Sequence, residues 1–252
     1  MITTRSLLPF ALIISTRIAF GAQVNSLAQS AHDAYAKGEY AQALTLYDSL
    51  NSTQNSASLL FDIANCHIKL GDVPHAVLYY ERAIRLQPGA EDIQANLDFA
   101  RSLVVDRVNE LPGFTLGSIW DRLRGGKEVD QWARRSLWAC LLLFTLSAAA
   151  VVVRKRSIKR SLIGASAIMV LVTALCSGLA WYRVQEVTDR SQAIIMMPKV
   201  DVLGEPRIGA TTLFVLHEGT KVSVLQEQNG WYEVKLSSGA VGWAPPSALV
   251  VI

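Results

Sequence analysis

Two stretches without a single charged residue, 136–153 and 161–182, are separated by only seven residues, and that spacer, "RKRSIKR" at 154–160, carries five positive charges. As helices, the runs of 18 and 22 residues would extend about 27 and 33 Å, against a hydrocarbon thickness of ~30 Å. The pattern predicts a transmembrane helical hairpin. Trp138, Trp181 and Tyr182 fall near its outer ends, at the level where aromatic side chains settle in a bilayer. A lone apolar run of this length fits a buried core helix equally well, but two in succession with aromatic ends do not. Small residues in the second run, Gly164, Ala165, Ala167, Ala174, Ser177 and Gly178, would let a neighbouring helix approach closely. Composition agrees, since 51% apolar against 18% charged residues is unusual for a wholly soluble chain.

The charges orient the hairpin. Arg154, Lys155, Arg156, Lys159 and Arg160 are concentrated in the turn, whereas Arg122, Arg124, Lys127, Arg134 and Arg135 are spread along the outer flank and diluted by Asp121, Glu128 and Asp130. Basic residues stay cytoplasmic, so the turn is expected inside and both flanking segments outside the cytoplasmic membrane. The N-terminus gives the same answer. Arg5, an apolar core from Leu7 to Ile14 and small residues at Ala19, Gly21 and Ala22 follow the grammar of a signal peptide over 1–21. Arg17 leaves an uncleaved anchor as the alternative, with the same topology.

The net charge of +3 is owed to those two regions: outside them 17 basic residues face 21 acidic ones. No basic stripe on a folded face is left for nucleic acid. Cys140 and Cys176 lie within the apolar runs, which leaves Cys66 as a small buried side chain rather than part of a disulfide framework. His32, His67, His75 and His217 lack the paired spacing of a zinc site, and neither a glycine-rich phosphate loop nor a Ser/His/Asp signature occurs. The chain is therefore expected to be no enzyme, with no metal and no cofactor.

Residues 24–108 contain a repeat. Gly38 and Gly71, Tyr40 and Val73, Ala43 and Ala76, and Tyr47 and Tyr80 are each 33 residues apart. In these residues the segment resembles the tetratricopeptide family: a helix, a glycine-containing turn, then a helix with a small residue and an aromatic four positions on. Pro88 follows the second pair, and Ile93, Leu97, Ala100, Leu103 and Val104 keep helical spacing in a closing helix. Two repeats and one helix are few for a continuous core, so the module should be marginal alone and lean on a partner. The resemblance implies a peptide-binding inner surface at His32, Tyr35, Ala36, Phe61, Asn65, Ile68 and Lys69, with the Asn65 amide suited to a ligand backbone. Residues 109–135 form a juxtamembrane segment in which Phe114, Leu116, Ile119, Trp120 and Leu123 with Arg122 and Arg124 suggest an interfacial helix, or else a linker with stray aromatics.

From about residue 192 the period changes to two. "KVDVL", "TKVSVL", "WYEVKL" and "AVGW" alternate apolar and polar residues between turns at Gly204, Pro206, Gly219, Asn229–Gly230 and "SSGA". About five short antiparallel strands closing as a small barrel are predicted over 192–252. The Gly-Trp pairs at 230–231 and 242–243 and the closing turn ending in Leu249 resemble bacterial SH3 (SH3b) domains. That resemblance implies Trp231, Tyr232, Trp243 and Pro246 as contacts for proteins or cell-wall peptides, with barrel packing as the alternative for either tryptophan.

The fold class is thus multi-domain: all-α helical repeats, a two-helix membrane hairpin and an all-β SH3-like barrel. In this order, export signal, repeats, hairpin and SH3b resemble the BatE-like proteins of the bacterial aerotolerance operon. This implies a scaffold working beside von Willebrand factor A membrane proteins and a MoxR-type ATPase. The rival is a cell-wall anchor or sensor, whose SH3b binds peptidoglycan peptides while the repeats recruit a hydrolase.

Overall fold

The computed structural model describes residues 25–106 and 130–252. The expected signal peptide and most of the juxtamembrane segment lie outside the described residues. Five helices form the N-terminal module: α1 over 25–36, α2 (Tyr40–Asn51), α3 (Ala57–Leu70), α4 (Val73–Leu86) and α5 (Glu91–Ser102). They pair as the 33-residue spacing predicts. Gly38 and Gly71 both adopt left-handed backbone, at φ of 82° and 80°, and turn the chain between the helices of each pair. Ser56 caps α3 by accepting the Leu59 N–H, and Asp72 caps α4 by accepting that of His75. One cluster, with Ala31, Ala43, Tyr47 and Ile63, joins α1, α2 and α3. A second, with Ala64, Ala76, Tyr80, Leu97 and Ala100, joins α3, α4 and α5. The closing helix stops at Ser102, so Leu103 is exposed rather than packed, while Val104 is buried beyond the helix end.

Helices α6 (Gln131–Val152) and α7 (Arg156–Thr188) form the hairpin. Both are long and apolar enough to cross a membrane, and only 11% and 6% of the residues in their most apolar stretches are buried. Leu137, Trp138, Phe144, Leu171 and Trp181 stand exposed along them. Core helices of a soluble protein would hide these side chains, so the hairpin fits a bilayer and the chain is membrane-associated. Ala139, Ala150 and Cys176 are buried where the helices meet, and the Ser136 and Ser177 hydroxyls bond at 2.9 Å. Gly164 and Gly178 do not meet α6: an added Cβ would touch nothing within 4 Å at either. The break between the helices is shorter than the basic run, since Arg156, Lys159 and Arg160 lie in the first turns of α7, leaving Arg154 and Lys155 in the connection. At ~1.5 Å per residue, the 33 residues of α7 extend about 50 Å, well beyond what a bilayer core needs.

The C-terminal module has seven strands rather than about five: β1 (Gln192–Ile195), β2 (Lys199–Leu203), β3 (Thr212–His217), β4 (Lys221–Gln228), β5 (Trp231–Lys235), β6 (Val241–Ala244) and β7 (Leu249–Val251). They join antiparallel in the order β3-β2-β6-β5-β4-β1-β7. A bulge between Val224 and Gln226 bends β4, so that one end pairs with β1 and the rest with β5. Asn229 and Gly230, both with positive φ, make the tight β4–β5 turn that this dipeptide favours. Gly242 lets β6 pass close to β2: an added Cβ would lie 2.6 Å from Val202 Cγ1 and 3.0 Å from the Leu203 carbonyl oxygen. Gly242→Ala is expected to destabilise this module by about 2 kcal/mol, through overpacking. A companion Val202→Ala should recover only part of the loss in thermal melting, because the Leu203 contact is with backbone; an unchanged midpoint for Gly242→Ala would refute the close approach.

The two modules share a strand. Along β1, Ala193 and Ile195 point into the sheet's own core while Ile194 joins the helical cluster of α3, α4 and α5. The helical array therefore packs against the other end of its own chain.

Candidate interaction sites

The residues expected to line the helical groove divide by environment. His32, Ala36 and Lys69 are exposed, whereas Tyr35, Phe61, Asn65 and Ile68 are half-buried. Phe61 and Ile68 also pack against the array core, and the Phe61 ring lies 5.8 Å from that of Tyr80. The Tyr80 hydroxyl donates to Asn65 Oδ1 at 2.6 Å, which fixes the amide and leaves its two N–H donors available to a carbonyl. Asp62, which the sequence did not single out, sits in the same neighbourhood: burial raises its carboxyl and the charge of His32 opposes that rise. Cys66 is fully buried, and its thiol is pushed up to about 12 by burial and then by the Asp62 and Asp48 carboxylates. A thiol in that environment is packing material, not a nucleophile.

Of the four residues expected to serve the β module, Trp231 is half-buried at the start of β5 and Pro246 is exposed. Trp243 is 8% exposed and held in the sheet opposite Leu203 and Glu233, so little of its ring is offered to a ligand. Tyr232 packs against the barrel core and lines a cavity of about 620 Å³ together with Arg82 of α4, Arg190 and Glu227. One wall of that cavity belongs to the helical module.

The polar residues that organise the molecule were not legible beforehand, and they lie between the modules. Glu81, 5% exposed, receives Arg101 Nη2 at 2.6 Å and Lys221 Nζ at 2.9 Å. Burial alone would raise its carboxyl, but the charges and hydrogen bonds of Lys221 and Arg101 hold it below its ordinary 4.5. Asp106, just past α5, accepts the His217 N–H at 2.6 Å and the Thr220 hydroxyl at 2.9 Å, with His217 Nδ1 at 2.8 Å from its other oxygen. Arg82 donates to the Val251 carbonyl at 2.9 Å and Arg85 to that of Ile252 at 2.8 Å, covering the outer edge of β7. Arg85 also donates to the Asp189 carbonyl at 2.6 Å, and Arg183 of α7, 2% exposed, donates to the Arg85 carbonyl. Membrane stem, repeats and sheet thus meet at the C-terminal end of α4.

A third grouping brings together two histidines whose sequence spacing is not that of a zinc site. His67 in the last turn of α3, Asp72 at the cap of α4 and His75 in its first turn bring one potential ligand atom each within 4.8 Å of the others. His67 Nδ1 lies 3.0 Å and His75 Nδ1 2.8 Å from Asp72 Oδ2. The histidines are eight positions apart in the sequence, and the reversal at Gly71 makes them neighbours.

A tetratricopeptide repeat model matches residues 57–90, and a bacterial SH3 domain model matches residues 199–250. The first helix pair and β1 lie outside the matched ranges. No curated protein matches the chain.

Proposed function

We propose that the chain is a non-enzymatic, membrane-anchored scaffold that presents its repeat and SH3 modules together outside the cytoplasmic membrane. Both matched modules are interaction modules. One observation carries the reading: Arg85 binds the end of the stem at Asp189 and the end of the sheet at Ile252, while its own carbonyl accepts Arg183 of the stem. A hairpin has both outer ends on one side, so modules fastened to the end of α7 share that side. The cations of the opposite turn, Arg154, Lys155, Arg156, Lys159 and Arg160, support a cytoplasmic turn. Two binding surfaces held at fixed spacing let weak contacts with one assembly add to avidity.

The partners are proteins or peptides, through the groove around His32, Tyr35, Asn65 and Lys69 and the face bearing Trp231, Tyr232 and Pro246. The architecture further supports an aerotolerance-linked complex with von Willebrand factor A membrane proteins and a MoxR-type ATPase. Alkaline phosphatase fused after Ile252 should be active, and fused between Arg154 and Lys155 inactive; the reverse pattern would overturn the topology. Retention of A-domain proteins by the detergent-solubilised chain is expected, whereas sedimentation of that chain with cell-wall sacculi instead would favour the wall-anchor reading.

A further inference from the structure

We propose that His67, Asp72 and His75 bind one divalent transition-metal ion of the zinc class, which clips the end of α3 to the start of α4. Two imidazole nitrogens and one carboxylate oxygen are a donor set that zinc and its neighbours in the first transition row favour over calcium or magnesium. The three ligand atoms already converge within 4.8 Å of one another. Both Nδ1 atoms face the same carboxylate, at 3.0 and 2.8 Å from its Oδ2. Bonds of ~2.0–2.1 Å in a tetrahedral site set donors about 3.3 Å apart, so an ion enters when the carboxylate draws back a few tenths of an ångström from each imidazole and the widest donor pair, up to 4.8 Å apart, closes toward that spacing.

The parts that must stay still are held. The His67 ring stacks on Tyr79 with centroids 5.5 Å apart, and Asp72 is fixed by accepting the His75 backbone N–H at 3.3 Å. The part that must move is the more open one: the His75 side chain is 46% exposed, and its ring stacks on that of His67 with centroids 5.0 Å apart. Such supports around a ligand set are what orient it for a metal. Three protein ligands leave a fourth position, on the exposed side of Asp72 and His75, for water or for a donor brought by a partner. The competing reading is a helix cap braced by two imidazoles, with no affinity for metal.

The test uses tag-free full-length protein in detergent, stripped with a chelator and titrated with Zn²⁺ by calorimetry and with Co²⁺ by visible absorption. One ion per chain with a dissociation constant of about 10 μM or tighter is expected, and the Co²⁺ spectrum should take on the intense bands of a four-coordinate site. Asp72→Asn keeps a good capping residue, and His75→Ala alters an exposed side chain, so both should fold. Each should weaken binding about tenfold or more while leaving the helical circular dichroism unchanged. A Co²⁺ spectrum that remains that of the hydrated ion, or an affinity unaffected by both substitutions, would overturn the proposal.

Discussion

Glu81→Ala should separate the two modules. The substitution removes the carboxylate, 5% exposed, that Arg101 and Lys221 share, whose side chains are 29% and 27% exposed; Arg101 keeps Asp98 at 3.9 Å. Removing one member of a buried ionic group costs about 3–5 kcal/mol, and the partial exposure of the two cations places this case near the lower bound, at about 3 kcal/mol. Hydrogen exchange of the full chain in detergent should show the loss as faster exchange at Ile194, Lys221 and Val222, while the β5–β6 ladder keeps its protection. Replacing Glu81, Arg101 and Lys221 together by leucine or methionine should return most of the stability, because no buried charge is then left without its partner; Asp98, which loses Arg101, is 60% exposed. The folded-state carboxyl of Glu81 lies below its ordinary 4.5, so its contribution is complete above about pH 4.5 and disappears as the pH falls through the lowered value. Protection at Ile194 that is unaltered in Glu81→Ala would show that the triad does not hold the seam.

What could be read beforehand was whatever obeys a local rule. An uncharged run of membrane length, a repeated glycine that ends a helix in left-handed backbone, and an Asn-Gly pair between alternating strands each specify their structure within a few residues. The hairpin, the paired helices and strands β2, β4, β5 and β6 followed accordingly. Strand β1 did not, because its period-two rule is obeyed by two cores at once: Ala193 and Ile195 serve the sheet and Ile194 the helices, so no polar alternation remains to betray a strand. Glu81 reads as an ordinary charged residue of an amphipathic helix, since the cations that make its burial tolerable lie 20 and 140 residues away. Gly164 and Gly178 are a related case. Small size permits close packing but does not say which side of α7 the neighbour occupies, and α6 lies along the side that buries Cys176. The groove residues were placed by repeat position, yet only the structure shows that Tyr80 consumes one end of the Asn65 amide.

Asp106→Ala should detach the second fastening, where the chain leaving α5 grips the β3–β4 turn. Its carboxylate accepts from the His217 backbone and the Thr220 hydroxyl and faces His217 Nδ1, and Val104 packs two residues before it against Gly219 of the same turn. Hydrogen bonds to a charged group are worth roughly 1.5–3 kcal/mol each and do not add fully, so a loss of about 3 kcal/mol is expected. Burial raises the Asp106 carboxyl, but the hydrogen bonds from His217 and Thr220 outweigh it and leave the folded value below the ordinary 3.8. This contribution is therefore present above about pH 3.8 and lost as the pH falls through the lowered value, the same direction as for Glu81 but at lower pH. Asp106→Asn distinguishes charge from geometry. Its carbonyl can still accept from the backbone and the hydroxyl, and its amide can donate to Nδ1 only while that nitrogen carries no proton. The asparagine variant should therefore lie between the parent protein and the alanine variant, because it keeps the two accepted hydrogen bonds and loses the charge. Thermal midpoints measured across pH decide it: equal midpoints for Asp106→Ala and the parent would remove the Asp106 grip from the account, and with it the reason the exit from α5 stays on the sheet.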